Sequence, residues 1–123
     1  MSRLLCPPEE AEQRTVAAYL DARGDLLWFH PPNESLRSPR QGRRLQLAGM
    51  KRGVQDFLIF TGTQDGLVGT AIELKRRRGG MVTPEQKQWR LALAAQGWCA
   101  EVCRGADEAI ALIERHYGKP GRR

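Results

Sequence analysis

The stretch "LVGTAIELK", residues 67 to 75, is the feature that most restricts how this chain folds. Its apolar and β-branched content reads as a buried strand, yet Glu73 and Lys75 occupy positions where such a strand ordinarily carries apolar side chains. Strand side chains alternate, so Glu73 and Lys75 project to one side while Ile72 and Leu74 point into a core on the other. A second strand-like run, "VQDFLIF", lies upstream across the turn-rich "TGTQDG", and the two read as a hairpin. A loop at Thr63 to Gly66 pairs Gly62 with Leu67, and the same ladder continued sets Asp56 opposite Glu73. Directly opposed side chains have Cβ atoms about 4.5 to 5.5 Å apart, where like charges repel. Something positive must compensate.

Asp56, Glu73 and Lys75 therefore converge on one surface, two oxygen donors with an ammonium beside them. Paired carboxylates suit a hard divalent cation such as Mg²⁺, which retains several waters and accepts phosphate oxygens. A neighbouring lysine then orients water or offsets charge building on a phosphate, which is the chemistry of phosphodiester hydrolysis. The plain alternative is a surface salt bridge of Lys75 with either carboxylate, worth about 0 to 1 kcal/mol. Spacing alone leaves both open.

Charge narrows the partner. Lys and Arg outnumber Asp and Glu by 20 to 14, a formal net charge of +6 and a pI near 9.8, which favours a polyanion, nucleic acid ahead of an anionic membrane. No apolar run approaches the roughly 18 to 20 residues of a membrane span, and "MSRLLCPPEE" lacks the apolar centre of a signal peptide. A soluble, cytoplasmic protein is expected. Cys6, Cys99 and Cys103 form an odd set without a C-x-x-C pair, so reduced thiols are expected in place of a disulfide framework or zinc knuckle.

At 123 residues the chain has the size of one ordinary domain. "EEAEQRTVAAYLDARG" is a helix with carboxylates at its start and Gly24 at its end, and "LLWFH" is a short strand stopped by Pro31 and Pro32. The cationic "NESLRSPRQGRRLQLAGMKRG" has loop composition with a short helix near "RRLQLAG". After the hairpin, "TPEQKQWRLALAAQG" opens with Thr83 as cap, Pro84 in the first turn and Gln86 at the capping-box position, with Trp89 and Leu93 as core. "WCAEVC" is a further strand, "GADEAIALIERHYG" a last helix, and residues 118 to 123 a basic tail expected to be mobile. The main order is α-β-β-β-α-β-α.

The combination of "GVQDFLIF", "IELKRRRGGMVTPEQKQWRLALAAQGW", "FHPPNESLRSPRQGRRLQLAGMKRGVQD" and "EEAEQ" before a helix resembles the VRR-NUC branch of the PD-(D/E)XK nucleases, from about Glu9 to Ile113. The resemblance implies a restriction-endonuclease-like α/β core, a mixed central sheet flanked by helices. It further implies that Asp56 and Glu73 bind Mg²⁺ or Mn²⁺ with the carbonyl of Leu74, and that Lys75 serves the attacking water. Glu9 matches the first-helix glutamate one turn before Gln13, with Glu12 as the competing match, and Gln86 matches a glutamine that supports the site. Gln55 stands where the family has proline.

Basic residues flank the implied site: Arg37, Arg40, Arg43, Arg44, Lys51 and Arg52 before the Asp56 strand, and Arg76, Arg77 and Arg78 after Lys75. Backbone contacts of this kind position nucleic acid without reading bases. Gly79 and Gly80 permit a tight turn, expected to form a mobile flap. Small standalone members of the resembled family are often encoded by phages or prophages and include junction resolvases, which implies a homodimer cutting branched DNA. A non-catalytic DNA-binding subunit and an RNA-directed nuclease are the competing expectations.

Overall fold

The computed structural model describes residues 6–32 and 38–121. Its elements are α1 (Glu9–Arg23), β1 (Trp28–Phe29), α2 (Pro39–Leu47), β2 (Phe57–Ile59), β3 (Thr70–Lys75), α3 (Pro84–Ala95), β4 (Cys99–Arg104) and α4 (Ala106–Tyr117). They build one mixed sheet of order β1-β2-β3-β4. β1, β2 and β3 pair antiparallel, while β4 runs parallel to β3. A parallel neighbour requires a long crossover, and α3 supplies it.

The β2–β3 register, Phe57 with Ile72 and Ile59 with Thr70, is the one the hairpin symmetry predicts. The ladder is shorter than expected, because strand pairing stops at Ile59 and Thr70. Beyond it the loop turns on Thr63, whose N–H donates to Leu67 O and whose hydroxyl accepts from Leu67 N–H. Cross-strand partners share a face, so Phe57, Ile72 and Leu74 lie with Cys103 on one side of the sheet. There they meet Val16 and Leu20 of α1 and Leu112 and Ile113 of α4 in a closed apolar core.

Local chemistry sets the helix ends. α1 stops because Gly24 adopts the left-handed conformation and its N–H bonds Leu20 O. α4 has no capping side chain of its own at Gly105. Instead Glu12 of α1 reaches across, and its Oε1 accepts the Ala106 N–H at 3.0 Å, which locks the two helices together.

Helix α2 adds an element to the expected order. It begins at Pro39, earlier than "RRLQLAG" implies, because Ser38 and Gln41 form a reciprocal capping box. No residue of it is buried, and Leu47 is 80% exposed. The opposite sheet face, carrying Glu73 and Lys75, is covered by α3, which also buries no residue fully. Trp89 and Leu93 are accordingly half-buried, short of the core position expected of them. The sheet face beneath them is partly polar, so it offers no deep apolar seat. Among the described residues no helix is long and apolar enough to cross a membrane.

Candidate active site

Glu73 lies on β3, the best-protected strand of the sheet, and is 1% exposed. Its Oε2 accepts from Gln86 Nε2 at 2.6 Å and lies 3.4 Å from Lys75 Nζ. Its Oε1 is buried without a partner. Asp56, just before β2, turns its carboxyl toward β3, where Oδ2 accepts the Leu74 N–H at 2.7 Å. The two carboxyl groups are near enough for the charge of Asp56 to act on Glu73. Hairpin register and alternation thus bring Asp56, Glu73 and Lys75 to one surface.

The electrostatics follow from crowding two acids in a poorly hydrated place. Burial, and then the negative charge of Asp56, push the Glu73 carboxyl up to about 8 against the pull of Lys75. Asp56 is also raised, chiefly by burial; the Leu74 N–H opposes this and the charge of Glu9 adds to it. Both acids therefore favour the protonated form more than a free carboxyl does. A buried carboxylate oxygen with no donor is costly, and a positive group beside it would offset that cost.

Glu9 and Glu12 part ways. Glu9 is half-buried, accepts from Gln13 Nε2 at 3.4 Å and acts electrostatically on Asp56, which puts it on the site's side of α1. Glu12 is committed elsewhere, to Ala106 and to Arg77, whose Nε lies 2.8 Å from Glu12 Oε2. Burial disfavours the Glu12 carboxylate, but those two partners outweigh it and hold its pKa below the ordinary value.

Gln86 combines both roles its position suggested. Its backbone N–H and side-chain oxygen complete the capping box with Thr83, while its amide nitrogen holds Glu73. The start of α3 is brought there by a close approach at Gly53, where an added Cβ would fall 2.5 Å from the backbone carbon of Glu85. Gly53 also has φ +83°, so glycine is required twice over.

Of the basic residues, Arg40, Arg43 and Arg44 are exposed on α2, and Lys51 and Arg52 on the following turn. Arg37 lies outside the described residues. Arg76 and Arg78 are exposed beyond β3, whereas Arg77 is engaged by Glu12 and approaches Asp107. The expected flap of Gly79 and Gly80 is held down in this structure. The Arg104 guanidinium donates to the carbonyls of Arg76, Gly79 and Gly80, and Gly80 packs beside the Lys75 side chain.

His30 and Arg104 carried no signal in the sequence, and Gln55 showed only as a departure from the resembled pattern. His30 stacks on Phe57 and its Nδ1 hydrogen-bonds Asp56 O, so it braces the backbone of the acid. Arg104 clamps the turn after Lys75. Gln55, 1% exposed, donates through Nε2 to Gln86 O at 3.1 Å and leaves Oε1 without a partner. Each contact joins segments far apart in the chain, which no local pattern records.

Cys99 and His116, remote in sequence, also meet at 3.4 Å, and the other ring nitrogen of His116 faces Asp65 at 3.1 Å. All three cysteines are free thiols; Cys99 and Cys103 are buried. Among the described residues no group of three or more His, Cys, Asp or Glu side chains is arranged to hold a metal ion.

Residues 9–107 match the sequence profile of the VRR-NUC domain. A solved structure described as a VRR_NUC domain protein superimposes with a TM-score of 0.72 at 24% sequence identity, covering 91% of this chain and 89% of that one. A comparison with curated proteins gave no match.

Proposed function

Since the chain belongs to the VRR-NUC family, and so to the nucleases, we propose that it is a Mg²⁺- or Mn²⁺-dependent endonuclease hydrolysing phosphodiester bonds in structured DNA. The single observation that carries the reading is the Asp56–Glu73 carboxyl pair, in which Glu73 is buried with Oε1 unpartnered and its Oε2 lies 3.4 Å from Lys75 Nζ. That donor set fits a hard divalent ion, which Asp56 and Glu73 would hold together with the carbonyl of Leu74. When bound, the ion activates water and offsets charge on the phosphate.

The chain's own residues do the rest. Glu73 is fixed by Gln86, so its orientation does not depend on the ion. Asp56 is fixed by the Leu74 N–H. Lys75, 8% exposed, orients the attacking water and balances negative charge as it develops. Glu9 adds a further carboxylate on the site's outer side. Arg40, Arg43, Arg44, Lys51 and Arg52 on one side and Arg76 and Arg78 on the other draw phosphates toward the pair, with Arg77 mainly supporting Glu12. A homodimer presenting two such sites would make the paired cuts that a four-way junction requires. Intact Asp56, Glu73 and Lys75 weigh against a non-catalytic subunit.

The test is cleavage of labelled duplex, flap, splayed-arm, four-way-junction and single-stranded DNA, with an RNA counterpart, in Mg²⁺ or Mn²⁺ and in chelator. Metal-dependent cutting of branched DNA is expected, lost in Asp56→Ala and Lys75→Ala while binding survives. Undiminished cutting by those variants would reject the site.

A further inference from the structure

A cleft of about 330 Å³ opens directly beside the carboxyl pair, between the segment after β1 and the turn before β2, and Asp56 and Gln86 form part of its wall. Pro31, Met50 and Val54 give it an apolar side, and the exposed Lys51 contributes a cation. Its size is at the low end for sites that enclose a small organic group. One nucleoside fits such a space; a stacked base pair does not.

Gln55 supplies the polar signal. It forms part of the cleft wall, its amide nitrogen is engaged by Gln86 O, and its amide oxygen is buried behind that wall with no donor. An orphaned buried acceptor is a cost that a ligand N–H removes. Extruded bases are recognised in this manner, seated against apolar side chains and hydrogen-bonded along the Watson–Crick edge. Every DNA base has an N–H donor on that edge, so such a contact holds a base without selecting one.

Resting on the nuclease reading above, we propose that this cleft receives one unstacked nucleotide adjacent to the phosphate being cut, its base seated between Met50 and Val54 and hydrogen-bonded to the Gln55 amide oxygen. The Lys51 ammonium meets the neighbouring phosphate. Structure selectivity follows: a paired nucleotide must be unpaired to enter, while one at a branch point is already free. Gln55 is essential to the idea, because the proline of the resembled pattern offers no side-chain acceptor.

The experiment uses the full chain with saturating Mn²⁺ and the DNA it cuts best. The cut is mapped, and a tetrahydrofuran abasic residue then replaces each nucleotide flanking it in turn. Single-turnover rates should fall at least about tenfold for one flanking position and less than about twofold for the others. Met50→Trp, which fills the cleft, should slow the parent DNA to the abasic rate and abolish the difference between them. Circular dichroism and Mn²⁺-dependent melting establish that this variant is folded and takes up metal. Equal rates for the parent and every abasic substrate would overturn the proposal while leaving the nuclease reading intact. Failure of the wild type to cut any DNA would remove both.

Discussion

Replacing Glu73 by glutamine tests the physical reasoning most directly. In the metal-free protein the Glu73 carboxyl is pushed from the ordinary glutamate value of 4.5 up to about 8 by burial and by Asp56. An acid whose pKa rises on folding leaves stability untouched below its unfolded value. It costs progressively more as pH climbs between the two values, and the full penalty is present above the folded one. The shift corresponds to a ceiling on the order of 5 kcal/mol, and relaxation around the charge brings the expected effect to about 2 to 4 kcal/mol. Glu73→Gln keeps the shape, retains an acceptor for Gln86 and presents an amide N–H to Asp56. In chelator the variant and wild type should melt together at pH 5, and the variant should melt about 10 °C higher at pH 9. Mn²⁺ at about a hundred times its dissociation constant adds about 3 kcal/mol to whatever binds it. It should therefore raise the wild type strongly at pH 9 and the variant hardly at all. Differential scanning calorimetry over pH 5 to 9, with and without Mn²⁺, reads both effects. A gap of equal size at pH 5 and pH 9 would refute the buried-charge argument, and a wild type indifferent to Mn²⁺ would refute the ion site.

Gln86→Ala removes both the capping-box partner and the donor to Glu73; chemical denaturation should show a loss of about 1 to 3 kcal/mol, with nuclease activity reduced more than tenfold. Gly53→Ala places a methyl against the first turn of α3 at a positive φ; urea melts should show a loss of about 2 kcal/mol or more. Combined Arg40→Ala, Arg43→Ala and Arg44→Ala substitution on the exposed α2 should weaken binding to all DNA structures alike and flatten the log Kd against log salt slope by about 2 to 3, measured by fluorescence anisotropy.

Much of this protein is legible in its sequence because the relevant forces are local. The Thr83-Pro84-Gln86 start of α3 and the Gly24 stop of α1 need only a few neighbouring residues, and both form as read. The Asp56 and Glu73 encounter is legible too, since a hairpin fixes its register from one turn and strand alternation fixes the face. The α2 helix was only half visible: its capping box is local, but no apolar face is buried to announce its length.

Tertiary structure alone decided which of two adjacent carboxylates serves which end. Glu9 and Glu12 sit on the same helix with similar credentials, and only the position of α4 and Arg77 takes Glu12 into the scaffold. Folding likewise adds to the capping role of Gln86 a second one as support for Glu73, and ties down Gly79 and Gly80 through Arg104. It also leaves oxygens of Glu73 and Gln55 buried without donors. A sequence specifies which groups are charged and how neighbouring residues turn. Desolvation and the meeting of distant side chains depend on the packed whole, and those two effects set the chemistry of the site.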